Sequence, residues 1–183
     1  MKRGMKTDGP TLDSLLVTDV ELKLLRTDGG TQVRARLNPE KVDEYGGLMS
    51  ADAAFPPIDA FYDGQHDWVA DGFKRWAAAG KAGKTTFPTR VHQGTVRDAL
   101  KFALSANARH GLPRSPGDKR GAVEIALRDV EWGKLNNHQI GRLCAVTDEY
   151  VRQVRRLIFP NHSCSTVTVS RGGKTYSMDA SRI

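Results

Sequence analysis

Arginine and glutamine recur at helical spacing between Asn137 and Leu157 of this 183-residue chain. Both side chains can form paired hydrogen bonds with base edges in the major groove of DNA, and arginine also binds phosphates. The segment therefore predicts contact with duplex DNA. The candidate contacts are its polar and charged residues, Asn137, Gln139, Arg142, Thr147, Glu149, Arg152, Gln153, Arg155 and Arg156.

Two short helices, over 136–145 and 148–157, would have to position these side chains. Gly141 is small where the second helix would cross the first, and Asp148 suits the free amides at the start of the second. The pattern predicts a helix-turn-helix, although Ala145 stands where the turn usually has glycine. A plain pair of amphipathic helices is the alternative. The predicted shared core consists of apolar residues, Ile140, Cys144, Val146, Val151 and Val154.

The charge distribution also favours a polyanionic partner. Residues 109–183 hold 13 Lys and Arg against 7 Asp and Glu, whereas residues 1–108 hold 15 against 14. One end of the molecule is therefore basic and the other nearly neutral, as expected of a protein that handles a nucleic acid with one region.

The overall composition, 39% hydrophobic and 27% charged, is typical of a globular protein. Cys144 and Cys164 form no metal-ligand or redox pattern, and the five histidines lack partners at ligand spacing, so no metal site is predicted. Residues 1–10 lack an apolar core and no run approaches the ~18 apolar residues of a membrane span. These features predict a reduced, cytoplasmic protein.

A second chemical feature is the stretch Trp68–Arg75, a predicted strand, glycine turn and helix. Backbone amides at such a helix start can bind a phosphate, and Arg75 can clamp it. An ordinary strand–helix turn with a surface arginine is the alternative. Two further polar stretches, 31–34 and 107–111, flank this turn along the chain.

In this order the stretches resemble the ParB/sulfiredoxin superfamily, specifically ParB-like proteins of plasmids, phages and bacterial genomes. The resemblance runs from about Val20 to Leu157. It includes five short motifs: Phe-Pro-Pro-Ile at 55–58, Gly-x-x-Arg at 72–75, Gly-Thr at 94–95, Asn-x-x-His-Gly at 107–111 and Asp-Lys-Arg at 118–120.

The resemblance implies a nucleoside triphosphate ligand, ATP or CTP. Phe73 and Ala106 stand where CTP-hydrolysing ParB proteins have glutamate, so Mg²⁺ is expected only if hydrolysis is retained. Lys74 replaces the cysteine on which sulfiredoxin chemistry depends. Glu44 is a weak candidate for a catalytic base, with a solvated surface glutamate as the alternative. The implied pocket residues are Arg34, Asp71, Gly72, Arg75, Gly94, Thr95, Asn107 and His110.

The predicted fold class is α+β, with a small mixed sheet and helices, then a helical helix-turn-helix region and a C-terminal β-hairpin. The predicted organisation is a flexible N-terminus at 1–18, a nucleotide-pocket domain at 19–112, a DNA-binding region at 113–160 and the hairpin at 161–183. Periodicity and turn residues place strands at 20–25, 58–62, 68–70 and 86–92, and helices from 39, over 73–81, 94–106 and 118–127.

The leading hypothesis is a sequence-specific, homodimeric DNA-binding protein, either a transcriptional regulator or a plasmid or phage partition-like factor, modulated by a nucleotide. The alternative is an enzyme of the same fold, an ATPase or DNase, as among the fertility-inhibition effectors of conjugative plasmids. A nucleotide-free scaffold with a vestigial pocket is a third possibility.

Overall fold

A computed structural model describes residues 17–34, 37–106, 114–160, 167–171 and 174–178. The chain divides into two compact units, residues 1–32 with 37–99, and residues 33–36 with 100–183. Within the described ranges no helix is long and apolar enough to cross a membrane. The elements in chain order are β1 Val17–Glu21, β2 Leu25–Arg26, α1 Pro39–Ser50, β3 Ile58–Tyr62, β4 Asp67–Asp71, α2 Phe73–Lys81, β5 Thr86–Gln93, α3 Val96–Ser105, α4 Pro116–Arg128, α5 Asn137–Cys144, α6 Asp148–Ile158, β6 Val167–Arg171 and β7 Lys174–Met178.

The first unit is built on a mixed five-stranded sheet in the order β1-β5-β3-β4-β2. β3 runs parallel to β5 and antiparallel to β4, while β1 runs antiparallel to β5 and β2 parallel to β4. The chain from β3 to β5 passes through β4 and α2, so the start of α2 follows directly from a central part of the sheet. This α+β architecture confirms the predicted fold class at the level of the sheet and helices.

The core of the first unit lies between the sheet and the helices α1 and α2. Its most deeply buried strand residues are aliphatic or small, because such side chains gain most from leaving water. The buried core residues are Leu25, Val42, Met49, Ile58, Ala60, Val69, Phe73, Ala78, Ala79 and Phe87.

α1 begins as predicted, since the side chain of Asn38 accepts a hydrogen bond from the backbone of the first turn. Leu48 lies on the outer side of α1, where it is 45% exposed. Gly46 is buried instead. Val42, Gly46 and Met49 are four and three residues apart, so they lie on one helical face.

The strand predicted at 20–25 is wrong in its bounds. β1 ends at Glu21, and the backbone N–H of Leu24 donates to the carbonyl of Glu21 at 2.9 Å, which closes a turn before β2. Leu24 is consequently 52% exposed. The loose alternation of Val20, Leu22 and Leu24 therefore spans a strand and a turn.

The second unit packs α4, α5 and α6 around an apolar core, and a 3₁₀ turn at Trp132–Lys134 lies between α4 and α5. α4 starts at a capping box in which Ser115 and Asp118 exchange hydrogen bonds with each other's backbone. β6 and β7 pair in antiparallel fashion. The buried residues of the core are Leu104, Ala122, Val123, Ala126, Leu127, Trp132, Ile140, Cys144, Val151 and Val154.

Candidate nucleic-acid interface and anion site

Three residues connect α5 to α6 in a tight turn. Ala145 ends α5 in the left-handed conformation, with φ 50° and ψ 54°. The N–H of Val146 donates to the carbonyl of Gly141 at 2.9 Å. A Cβ on Gly141 would lie 2.8 Å from the carbonyl oxygen of Val146, so only glycine fits where the chain turns back.

α6 is anchored on one side and open on the other. Val151 and Val154 are buried in the core of the second unit, and the hydroxyl of Tyr150 donates to the carbonyl of Pro116 at 3.3 Å. Because the helix turns by about 100° per residue, this leaves a mostly polar face directed to solvent. Its exposed members in the second and third turns are Arg152, Gln153, Arg156 and Leu157.

Four of the predicted DNA contacts make hydrogen bonds that help to hold the two helices. Nε of Arg155 donates to Oδ1 of Asn137 at 3.0 Å, and its guanidinium donates to the carbonyl of Leu135 at 3.0 Å. Thr147 accepts from the backbone N–H of Tyr150 as the N-cap of α6. Gln139 completes a capping box with Asn136 at the start of α5. The remaining predicted contacts are exposed: Arg142, Glu149, Arg152, Gln153 and Arg156.

Arg114, which directly precedes the N-cap of α4, holds the turn between α5 and α6. Its guanidinium donates to the carbonyl of Ala145 at 2.9 Å and to the carbonyl of Leu104 at 2.9 Å. Burial lowers the pKa of Arg114 from its usual value, as expected when a charge is taken partly out of water. Burial also raises the pKa of the Cys144 thiol to about 12, so that thiol packs in the core in its neutral form.

The start of α2 presents backbone amides without a side-chain cap. Gly72 is the N-cap, with φ 101°, and no side chain bonds to the first turn. The Arg75 guanidinium folds back over Gly72, because a Cβ added there would lie 2.9 Å from its Nη2. Nη2 donates to Oδ2 of Asp71 at 3.0 Å, while the buried Nε finds no acceptor among the described residues. A cation thus lies at the positive end of its own helix.

A buried polar cluster on β3 and β5 was missed by the sequence analysis. Oδ1 of Asp59 accepts from Nη1 of Arg90 at 3.2 Å and lies 2.9 Å from Nε2 of His92. Asp59 also pairs in register with Asp71 on β4. Residues two apart on a strand lie on the same face, so the spacing of 59 with 61 and of 90 with 92 could have indicated the cluster. On that face Phe61 stacks on His92, with 4.6 Å between the ring centroids.

The other predicted pocket residues are distributed along the chain. Gly94 lies against Phe61, with φ 153°, and Thr95 donates both its N–H and its hydroxyl to Oδ2 of Asp98. Arg34 belongs to the second unit, and Asn107 and His110 lie outside the described residues. The first unit therefore brings together Asp71, Gly72 and Arg75 at one turn.

Glu44, the weak catalytic candidate, lies on the exposed surface of α1. Its carboxylate pairs with Nζ of Lys41 at 2.6 Å. This pair raises the pKa of Lys41, through the hydrogen bond first and the opposite charge second. The contact is that of an ordinary surface ion pair within one helix.

Among solved structures, the chain is similar to the C-terminally truncated chromosome-partitioning protein ParB from Caulobacter crescentus, complexed to the centromeric parS site. The TM-score is 0.53 at 17% identity, covering 77% of this chain and 71% of the other. The chain has the ParB/sulfiredoxin fold. The resemblance predicted from the sequence is thereby confirmed at the level of the fold. Sulfiredoxin from Arabidopsis thaliana matches with a TM-score of 0.41 and 22% identity, over 46% of this ParB-like chain and 97% of its own.

The chain is also similar in sequence to a bacterial protein. The chain is 26% identical over 141 residues to a Streptomyces griseus protein described as "Streptomycin biosynthesis operon possible regulatory protein". The match covers 76% of this ParB-like chain but 39% of the relative, so the chain spans about two fifths of that protein's length. No protein-family model matches the chain.

Proposed function

We propose that this ParB-like protein binds duplex DNA, with α5 and α6 acting as a helix-turn-helix and α6 reading base edges in the major groove. The observation that carries the proposal is the geometry of α6. Val151 and Val154 fix it in the core, while Arg152, Gln153 and Arg156 stand exposed on its other face. Arg and Gln are the side chains that pair with guanine and adenine in that groove.

The hydrogen bonds that join α5 to α6 also favour a role in DNA binding. Base reading requires a helix held in one orientation, and the bonds of Arg155 to Asn137 and Leu135 connect α6 to the start of α5. Exposed cations outside α6, such as Arg142 and Lys134, would bind phosphates. We therefore assign Arg155 and Asn137 to positioning, and Arg152, Gln153 and Arg156 to contact with DNA.

The biological role we propose is transcriptional regulation, which the description of the Streptomyces griseus relative favours. A role in plasmid or phage partition is the alternative within the same class of DNA-binding proteins. Helix-turn-helix proteins commonly bind paired half-sites as dimers, so we also propose a homodimer. Binding would take place in the cytoplasm, where duplex DNA is available.

Fluorescence anisotropy with labelled duplex DNA from upstream of the gene tests this function. The change is Arg152→Ala, and the matched control is Lys84→Ala, which removes one exposed positive charge from the first unit. We expect the first to weaken binding at least about fivefold and the control to leave it nearly unchanged. Affinity should also fall steeply with salt. Equal effects of the two variants would reject the base-reading role of α6.

We also propose that the turn at Gly72 binds the phosphates of a nucleoside triphosphate, which modulates DNA binding. The supporting observation is Arg75, whose guanidinium lies against the uncapped start of α2 with a buried Nε that lacks an acceptor among the described residues. An anion at this point would accept from Arg75 and from the free amides of the helix. With Phe73 and Ala106 in place of glutamates, the proposal is binding without appreciable hydrolysis, and Mg²⁺ would accompany the ligand only if hydrolysis occurs.

Isothermal titration calorimetry with ATP and with CTP tests the nucleotide proposal. Arg75→Ala should abolish the binding heat, whereas Lys74→Ala, a neighbouring cation in the same helical turn, should weaken it less. Phosphate release in the presence of Mg²⁺ would measure the enzyme alternative. No heat with either nucleotide would favour a vestigial pocket and leave the DNA-binding proposal standing.

A further inference from the structure

The first turn of α6 carries two exposed carboxylates, Asp148 and Glu149. They suit the positive end of the helix dipole in the free protein. In the proposed complex, however, the N-terminal residues of a recognition helix lie closest to the bases, inside a groove bordered by phosphates. Carboxylates there oppose binding to DNA in general, so their presence calls for a compensating contact.

Glu149 differs from Asp148 in its relation to the proposed reading face. Its Oε2 lies 3.2 Å from Nη1 of Arg152, and both side chains are more than half exposed, at 56% and 53%. Residues three apart are neighbours on a helix surface. Glu149 therefore shares the face that would meet the bases and holds Arg152 in the absence of DNA.

We propose that Glu149 determines specificity by selecting a cytosine close to the guanine read by Arg152, an inference that rests on the proposed DNA-binding function. In the major groove cytosine offers the N4 amino group as a donor. Guanine presents acceptors and thymine presents an acceptor beside a methyl group, which a carboxylate cannot bind. Adenine offers a donor at N6, but its N7 acceptor lies beside it and repels the second carboxylate oxygen.

The ion pair makes the two readings interdependent. When Arg152 turns to guanine, Glu149 loses its partner and is left as a bare carboxylate among phosphates. A cytosine at the adjoining position satisfies it. Guanine and thymine leave it unpaired and adenine repels one of its oxygens, and a buried charge without a good partner is strongly unfavourable. Glu149 thus acts mainly by rejecting wrong sites and adds little affinity for the right one.

Selection of binding sites from a randomised duplex library, with the full chain, tests the proposal. The variants are Glu149→Gln and its matched control Asp148→Asn, each of which replaces a carboxylate of the same turn by an amide of equal size. We expect both to strengthen binding to random DNA. Only Glu149→Gln should lower the preference for cytosine at one position, by about fivefold or more. Arg152→Ala should remove the preference for the neighbouring guanine.

The outcomes separate this inference from the proposed function. Sites selected by the wild type with a cytosine preference that Glu149→Gln leaves unchanged would overturn the inference alone. An equal loss of preference in Asp148→Asn would overturn it as well, since the effect would then belong to the charge of the turn. Absence of any sequence preference in the wild type would overturn the base-reading function and the inference together. Circular dichroism of each variant confirms that the exposed substitutions leave the helices intact.

Discussion

Arg114 donates a hydrogen bond to the carbonyl oxygen of Ala145, at 2.9 Å, across the turn that joins α5 to α6. A second bond from the same guanidinium reaches the carbonyl of Leu104 at the end of α3. Carbonyls at the C-terminal end of a helix lack partners within that helix. Arg114 therefore satisfies two such carbonyls with one side chain and fixes the turn on which the direction of α6 depends.

Replacing Arg114 with methionine should destabilise the second unit by about 1–3 kcal/mol, because two carbonyls at helix ends, that of Leu104 in a part-buried contact, lose a charged donor. Methionine keeps an apolar stem of similar length, so packing is largely retained. Urea unfolding followed by circular dichroism measures the effect. Arg128→Met, at an exposed position of α4, should change the free energy of unfolding by less than about 0.5 kcal/mol. Similar losses in both variants would mean that the two hydrogen bonds contribute nothing specific.

Two small residues, Ala145 in the turn and Gly141 in α5 beside it, should respond in opposite directions to substitution. Ala145→Gly should raise the free energy of unfolding by up to about 1 kcal/mol, since glycine adopts positive φ without the strain of an L-residue. Gly141→Ala should lower it by about 1–3 kcal/mol, because its Cβ would meet the carbonyl oxygen of Val146 at 2.8 Å. Thermal unfolding of the two variants provides the comparison. A stabilised Gly141→Ala would contradict the close approach of the helices.

Gly72→Ala should destabilise the first unit by about 2–4 kcal/mol. The added Cβ meets Arg75 at 2.9 Å and Cγ1 of Ile58 at 3.0 Å, at a φ of 101° that alanine rarely adopts. Gly80→Ala in the same helix is the control, because a Cβ there meets nothing within 4 Å. It should stabilise by about 0.5–1 kcal/mol through helix propensity. Melting temperatures that move the same way in both variants would reject this prediction.

The helices were predictable because their signals are local. Asn38 before Pro39 and Gly72 after β4 each mark a helix start through a neighbouring backbone group. The start of α4 was predicted two residues late, at 118, because the cap formed by Ser115 before Pro116 was overlooked. α6 begins at the predicted residue, Asp148, and ends one residue later than predicted, because its signals are also local. The fold class and the family resemblance rest on the order of such local signals along the chain.

Contacts between distant positions were not predictable in this way. Asp59 meets Arg90 and His92 only because β3 pairs with β5 in a parallel register across about thirty residues. Arg155 has the composition of a DNA contact, but its proximity to Leu135 and Asn137 follows from the packing of α5 on α6. A charged side chain does not reveal in the sequence whether a carbonyl of its own fold will occupy it.

Asp63 provides a test of the turn between β3 and β4 at acid pH. Its Oδ2 accepts from the indole Nε1 of Trp68 at 2.6 Å, and its Oδ1 accepts from the N–H groups of Gln65 and His66 at 2.8 Å each. The Trp68 bond, then the backbone bonds, lower the pKa of Asp63 to about 2. These donors favour the ionised form.

Because the folded-state pKa lies below the ordinary value of 3.8, Asp63 stabilises the fold fully above that value, and the contribution is lost as the pH falls towards 2. We expect a ¹³C NMR titration of the Asp63 carboxyl to give a midpoint near 2. Trp68→Phe keeps a ring but removes the strongest donor, so its midpoint should rise towards 3.8. The stability advantage of the wild type over Asp63→Asn should shrink over the same interval. A wild-type midpoint near the ordinary value, unaffected by Trp68→Phe, would show that the indole does not bind the carboxylate in solution.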